Sequence, residues 1–553
     1  ATRVLELGCG MGTITRYLGE TGAEVVAIEG SLQRAAITRE RCRDLNNVHV
    51  VCDNFKEFRT DEKFDLVTLI GVMEYSPKFI GGKDPIGQCL AIVKNYLKPD
   101  GAVIIAIENR LGLKYWNNCA EDHTGGMFDS IHDTYQPGTV ATLGYHELKR
   151  ALATAGFASA DFLFPFPDYK LPSVILHEES LEHKDISLAP IIGQTFSRDY
   201  SGQPYRHFSE RLAWHTIEKN GLIPYFSNSF LCVCTLSPDV RPPISRDWIV
   251  KIFNSCRYAC FRTETTIFRK KGTNSIQVSK KRMYPDIPMR QGPLTFNQNV
   301  EKNYIHGTLL SDELQRAVLR HETLQEFFLK MKEYKDAVIS MCKTLRPDAD
   351  LENCPGELVD CTPFNLIRAA DKTLHYIDNE WIATEELPLH FILLRGIVAE
   401  ITNKIRFIDN PALFTQYETL KDLIADVFTN MGLNLSDEDI DYYCTREAEI
   451  QSQISGMFQR KAAIAKRFKA VFSEPLDRTL GIMERYSVYD LYRILSEKSI
   501  EDRWEKAVAR KVDSLIFERL EKLDSRSDDS RDVLHSLFKQ KTAYEILKTI
   551  EFP

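Results

Sequence analysis

Between Val359 and Trp381 the chain reads VDCTPFNLIRAADKTLHYIDNEW, and three of these residues could share one piece of chemistry. Asp360 and Asn365 stand in an Asp-x-x-x-x-Asn spacing, and Asp378 follows an apolar Tyr376–Ile377 strand end. Phosphoryl transfer to a hydroxyl needs one carboxylate to orient the hydroxyl and accept its proton. It also needs an amide oxygen and a second carboxylate to hold Mg²⁺ against the phosphates. A loop with Asp and Asn, a short hairpin, and an Asp at the end of the next strand supply those three groups. We therefore expect Asp360 to act on the acceptor, with Asn365 and Asp378 as metal ligands.

Such a loop works only if other elements hold the nucleotide. Upstream, YFSNSFLCVCTL is two apolar runs around Ser227-Asn228-Ser229, a turn whose N–H groups and hydroxyls could meet phosphates. RDWIVKIFN reads as a strand with Lys251 embedded in it, and FRTETTIFRKK reads as a helix carrying Glu264. A strand lysine steadied by a helix glutamate is the arrangement that clamps α- and β-phosphates. Strand-Lys, helix-Glu, Asp-x-x-x-x-Asn and strand-end Asp come in the right order, with NYIHGTLL as the connection. Over about residues 215–433 the chain thus resembles the protein-kinase-like fold, in its choline- and aminoglycoside-kinase branch. The resemblance implies ATP and Mg²⁺. Two departures stand out: Leu358 occupies the place of the usual His, and the phosphate turn lacks glycines.

A second chemistry opens the chain. RVLELG is an apolar strand that runs into Glu6-Leu7-Gly8-Cys9-Gly10-Met11-Gly12 and then a helical TITRYLGETG. Glycines let the backbone turn tightly and bring a ligand against the helix N-terminus. The next strand, AEVVAIE, ends on Glu29, which could accept hydrogen bonds from ribose hydroxyls. Both an NAD(P) oxidoreductase and an S-adenosylmethionine methyltransferase use this logic. The form E-x-G-x-G-x-G resembles the methyltransferase motif, and three later strands agree: VHVVCDNF, FDLVTLIGVMEY and GAVIIAIEN. The resemblance to class I methyltransferases spans 1–180. It implies S-adenosylmethionine held by Glu6, Gly8, Gly10, Gly12, Glu29, Asp53 and Asn54. The loop NRLGLKYWNNCAEDHTGGMFDSIHDTY then lines the acceptor side, offering Glu108, His123 and His132 as bases. His123 is preferred as the catalytic base because imidazole titrates near neutrality.

Composition sets the frame. The 553 residues are long enough for several cores, with 43% apolar and 27% charged residues, as in ordinary globular chains. A net charge of −8 argues against a general nucleic-acid binder. The 13 cysteines form no metal-ligand quartet and are expected to be reduced, buried thiols. No apolar run approaches the roughly 18 residues of a membrane span. The first strand begins at Arg3, so we expect a further segment ahead of it.

The expected architecture is an α/β Rossmann-like class I methyltransferase domain (1–180), a linker (181–214), an α+β two-lobed kinase-like domain (215–433) and a helical C-terminal region (434–553). That last region is a candidate oligomerisation element. A methyltransferase joined to a choline-kinase-like domain resembles the bacterial O-antigen chain terminators. The resemblance implies phosphorylation and methylation of the end of a lipid-linked polysaccharide, at the cytoplasmic face of the inner membrane, beside glycosyltransferases of the same pathway. Two other classes fit the sequence: a methyltransferase with a pseudokinase scaffold, and an interaction protein with two inactive domains. The intact Asp–Asn–Asp set argues against the last.

Overall fold

The computed structural model describes residues 2–199, 206–240, 244–273, 275–297, 301–320, 324–403, 417–455 and 461–473. The chain forms two units: one of residues 1–203, 207–288 and 299–306, the other of 204–206, 289–298 and 307–553.

In the first unit, short apolar runs become strands, the central ones largely buried as a covered parallel sheet requires and the one at the edge half-exposed. These are β1 (Arg3–Leu7), β2 (Glu24–Glu29), β3 (Val48–Cys52), β4 (Phe64–Ile70) and β5 (Leu97–Glu108). They pair in parallel in the order β3-β2-β1-β4-β5. Helices Thr13–Glu20, Leu32–Arg41 and Pro85–Tyr96 make the crossovers. Chain direction across the sheet reverses between β1 and β4. Ligands of open α/β sheets bind at such a switch point, outside the carboxyl ends of the strands.

The sheet continues through β6 (Ser159–Phe166), β7 (Val174–His177) and β8 (Ser229–Thr235). Here the structure corrects the expected boundaries. The segment SFLCVCT does not open a second domain. As β8 it lies antiparallel between β5 and β6, with Val233 opposite Ile104 on one side and Asp161 on the other. The reason is burial on both faces: Phe230, Cys232 and Cys234 are buried on one, Ser229, Val233 and Thr235 on the other, and Phe230 packs edge-on to Phe162 and Phe164. Residues 1–180 therefore lack a central strand of their own sheet.

Beyond β7 the same sheet adds β9 (Val250–Asn254), β10 (Thr263–Arg269) and β11 (Ile276–Arg282). The helix expected for FRTETTIFRKK is strand β10. Thr263, Thr265 and Ile267 are buried while Glu264, Thr266 and Phe268 are half-buried, a period of two that suits β-branched residues.

In the second unit, β12 (Leu294–Phe296) pairs with a strand at Trp381–Ala383. Beyond the two-residue β13 (Lys302–Asn303), which edges the first unit's sheet, a three-stranded sheet is built from β14 (Thr308–Leu309), β15 (Leu366–Arg368) and β16 (Leu374–Tyr376). Around these lie helices Leu310–Arg320, Gln325–Leu345, Leu389–Asn403, Leu420–Asn430, Asp437–Ile454 and Lys461–Ser473. The amphipathic segment EKAVARKVDSLIFERLEKL, and with it much of the proposed oligomerisation element, lies outside the described residues. All cysteines are free, and only Cys52 and Cys256 are exposed. Among the described residues no helix is long and apolar enough to cross a membrane.

Candidate functional site

The glycine loop leaves β1 with Gly8, Gly10 and Gly12 all at positive φ (+75°, +59° and +77°). Their reasons differ. A Cβ on Gly8 would lie 2.5 Å from Val72 Cγ2, and one on Gly12 would lie 2.6 Å from Thr38 Cγ2, so these two glycines permit close packing. A Cβ on Gly10 would meet nothing within 4 Å; that side of the loop is open to a ligand. Glu29 steadies the loop from β2: its Oε2 accepts from Gly10 N at 2.9 Å and its Oε1 from Ser31 N at 3.0 Å. Each oxygen keeps a second lone pair for a hydroxyl. Asp53 follows β3, its N–H on Glu29 O and its Oδ1 accepting from Asn54 N at 2.8 Å; Asn54 Oδ1 in turn accepts from Lys56 N. Glu6 is buried beneath the helix that follows. Burial pushes its carboxyl up to about 7, against a lowering contact from Thr15.

Glu74 stands past the end of β4 and Glu108 is the last residue of β5, both fully buried. His123 joins them from the following loop: Nε2 lies 3.2 Å from Glu108 Oε2, and Nδ1 lies 3.2 Å from Tyr75 Oη. Lys170 Nζ is 2.6 Å from Glu108 Oε1 and 3.1 Å from Asp122 Oδ2, which also takes the buried Lys114 Nζ at 2.8 Å. Glu121 Oε2 accepts the backbone N–H of both His123 and Thr124, fixing the turn. Burial works against the charge on Glu108, but the His123 hydrogen bond and Lys170 hold its carboxyl below the usual range. Glu74 goes the other way, raised by burial and by Glu108. Burial disfavours the imidazolium of His123, yet the Glu108 contact more than offsets it and the pKa is raised. His132, by contrast, is exposed. Lys114 and Lys170 were not singled out in the sequence, and Glu74-Tyr75 only as the acid-aromatic end of the fourth strand, with no role in this pocket. Their only signal was a charge beside aromatics, in MEY, LKYW and DYKL.

In the second unit the hairpin β15–β16 pairs Leu366 with Tyr376, and Ile377 N donates to Asn365 O at 2.9 Å. That backbone pairing sets Asn365 beside the turn that carries Asp378, itself at φ +53°. Asn365 Nδ2 donates to Asp360 O at 2.9 Å and to Asp360 Oδ2 at 3.2 Å. Asp360 Oδ1 takes Arg395 from helix Leu389–Asn403, and Arg395 Nε reaches Glu447 Oε2 at 2.8 Å. Tyr334 Oη donates to Cys361 O at 2.8 Å, fastening the loop from below. Burial raises the Asp360 carboxyl despite Arg395 beside it. Leu358 is fully buried, an apolar core residue.

The expected phosphate-holding residues fare differently. Lys251 Nζ does meet Glu264 Oε1, at 2.8 Å, but across the antiparallel pair β9–β10 and not from a helix. Lys281 approaches the same carboxylate at 3.7 Å. Ser227, Asn228 and Ser229 form no phosphate turn: all three are buried. Asn228 Nδ2 donates to Pro167 O and Ser197 Oγ, Ser227 Oγ donates to Ile223 O, and Ser229 Oγ accepts from Tyr169 N. They pin β8 into its sheet.

A parallel sheet of this order, with an acid-anchored glycine loop at its switch point, defines the N-terminal part of the chain as a class I S-adenosylmethionine-dependent methyltransferase domain. Sequence comparisons with known proteins agree. Residues 5–103 match the methyltransferase domain family. The ubiquinone biosynthesis O-methyltransferase of Pasteurella multocida is 28% identical over 126 residues, 21% of this chain and 49% of that protein. Pavine N-methyltransferase of Thalictrum flavum is 25% identical over 80 residues, 14% of this chain and 22% of that protein. The chain thus spans about half the length, or less, of the curated relatives it matches. Among solved structures, N-methyltransferase NodS of Bradyrhizobium japonicum with S-adenosyl-L-homocysteine gives a TM-score of 0.18 at 18% identity, covering 20% of this chain and 54% of that one. A TehB-like methyltransferase of Corynebacterium glutamicum gives 0.22 at 14%, covering 42% and 79%.

Proposed function

We propose that the chain is an S-adenosylmethionine-dependent O-methyltransferase whose second unit transfers a phosphoryl group from Mg-ATP, both acting on the end of a bacterial surface glycan such as O-antigen. The open side of Gly10, over a loop fixed by Glu29, carries the methyltransferase reading. Bound there, S-adenosylmethionine supplies an electrophilic methyl group. The acceptor oxygen forms the new bond to that carbon as the carbon–sulfur bond breaks, the electron pair stays on sulfur, and the hydroxyl proton must leave. His123 is the group assigned to that proton, aligned by Tyr75 and Glu108. The loop of Asp360, Asn365 and Asp378 supports phosphoryl transfer, and the pairing of the two chemistries supports a glycan end as the acceptor. Incubating the protein with candidate glycans, S-adenosylmethionine and Mg-ATP, then reading mass increments of methyl and phosphate, tests the whole reading.

His123→Ala should lower methyl transfer about 10²- to 10⁴-fold with little change in cofactor affinity. An acceptor that is already ionised, such as a phosphate, needs no base, and near-wild-type turnover would assign His123 to positioning alone. The ring must be neutral to take a proton, and its pKa is raised. Turnover should therefore climb with pH through an apparent pKa above the ordinary imidazole value of about 6.5. A profile already flat below that value would remove His123 from the proton path.

A second reading keeps the methyltransferase and makes the second unit a scaffold. Arg395 on Asp360, the buried Ser227–Asn228–Ser229 and the strand position of Glu264 favour it. Thermal unfolding with ATP, with and without Mg²⁺, separates the readings, since a bound ligand raises stability by RT ln(1 + [L]/Kd). A scaffold shows no Mg-dependent shift.

A further inference from the structure

Glu74 is fully buried, and neither of its carboxylate oxygens has a hydrogen-bond partner among the described residues. A buried carboxylate without donors is costly, and the usual remedies are a paired charge, a metal ion or a proton. Its Oε1 points at His123 Nε2, 3.9 Å away, and Nε2 is in turn 3.2 Å from Glu108 Oε2. One ligand atom from each of Glu74, Glu108 and His123 lies within 4.8 Å of the other two.

We propose that Glu74, Glu108 and His123 bind a divalent first-row cation at the acceptor end of the methyltransferase crevice. Two ligands about 2.1 Å from one ion stand about 3.0 Å apart at right angles and about 4.2 Å apart when opposite. The observed 3.2 and 3.9 Å fall inside that range. Two carboxylates and an imidazole suit Mn²⁺ or Zn²⁺. Charge agrees. Around the ring stand Glu74, Glu108 and Glu121, with Lys170 on Glu108 as the contacting cation, while Lys114 is matched by Asp122. With the ring neutral and Glu74 ionised, the state a bound cation would hold, the surplus is two negative charges, which a divalent ion closes.

The supporting contacts also fit. Lys170 occupies Glu108 Oε1 and leaves Oε2 to the ion. Tyr75 Oη can accept as well as donate, so it can take the Nδ1 proton and let Nε2 offer its lone pair. Three protein ligands leave open positions for water or for an acceptor oxygen, whose hydroxyl pKa a cation would lower. His123 would then act on the acceptor through the ion. Its substitution lowers turnover in either role, so turnover cannot separate them; cation binding can. That binding is measured without methyl transfer, so it stands or falls apart from the proposed reaction.

The test is Mn²⁺ titration of the full chain, followed by electron paramagnetic resonance of the free ion. Asp378→Asn serves as a second background, because the other unit has metal-ligand candidates of its own. We expect one Mn²⁺ site that survives Asp378→Asn and is weakened at least about tenfold in Glu74→Gln, an isosteric change that keeps the shape of the pocket. Unfolding temperature without metal shows that Glu74→Gln is folded, and in the Asp378→Asn background Mn²⁺ should raise it only where Glu74 is intact. Equal Mn²⁺ binding by wild type and Glu74→Gln, or no stoichiometric binding by wild type, overturns the proposal and leaves Glu74 as a buried neutral acid.

Discussion

Gly10→Val is expected to weaken S-adenosylmethionine binding by at least about a hundredfold, roughly 2.7 kcal/mol. The new side chain enters the one side of the glycine loop that the protein leaves empty. The substitution also forces a β-branched residue to φ +59°, and that strain costs on the order of 1–3 kcal/mol by itself. Gly22→Val controls for the strain. Gly22 is exposed, has φ +85°, and likewise has nothing within 4 Å of a Cβ, but it sits in the turn before β2, at the opposite end of the sheet. Both variants should lose similar stability, and only Gly10→Val should lose calorimetric cofactor binding. Equal cofactor affinities in the two would remove the loop from the binding site.

In the second unit, Asp378→Asn should lower both Mg-dependent nucleotide affinity and phosphoryl transfer, because it takes a full charge from the metal site. Asp360→Asn should leave nucleotide bound while transfer falls by orders of magnitude. The structure adds a complication to the second variant. Asp360, Arg395 and Glu447 form one charge group in which Glu447 is buried and the other two are half-buried, and breaking it costs less than the about 3–5 kcal/mol of a fully buried group. Glu447→Gln perturbs the same arginine without touching Asp360, so its residual transfer measures the share of the loss that comes from the fold. If Mg-ATP binds wild type no better than Asp378→Asn, phosphoryl transfer is excluded and the scaffold reading takes its place.

The five parallel strands of the methyltransferase sheet were legible because each carries an apolar run that ends at or just before a glycine or an acid. Gly8, Gly10 and Glu29 could be placed from spacing alone, since the loop's geometry is local. The partners of β5 were not legible. SFLCVCT carries the marks of a strand, but nothing in a sequence states that it inserts between two strands far upstream. Glu264 was misplaced for a different reason. The alternation of Thr263, Thr265 and Ile267 was present in the sequence, yet a glutamate thirteen residues after a lysine suggested a helix. The environment of His123 shows the same limit. Glu74–Tyr75, His123 and Lys170 come from three separate segments, and only folding shows that they share one pocket.

The insertion of β8 also bears on how this protein can be made and cut. Its hydrogen bonds close the facing edges of β5 and β6, two apolar strands that would otherwise present unpaired backbone to any passing chain. Those edges are synthesised well before Ser229 leaves the ribosome, so the nascent domain waits with its centre open while the intervening segment is made. A gene fusion joined after residue 180, or a protease cut there followed by separation, would leave that gap permanently unfilled. The glycine loop and the strand that completes its sheet are thus parts of one folding piece, although the whole chain from Gly12 to Ser229 separates them.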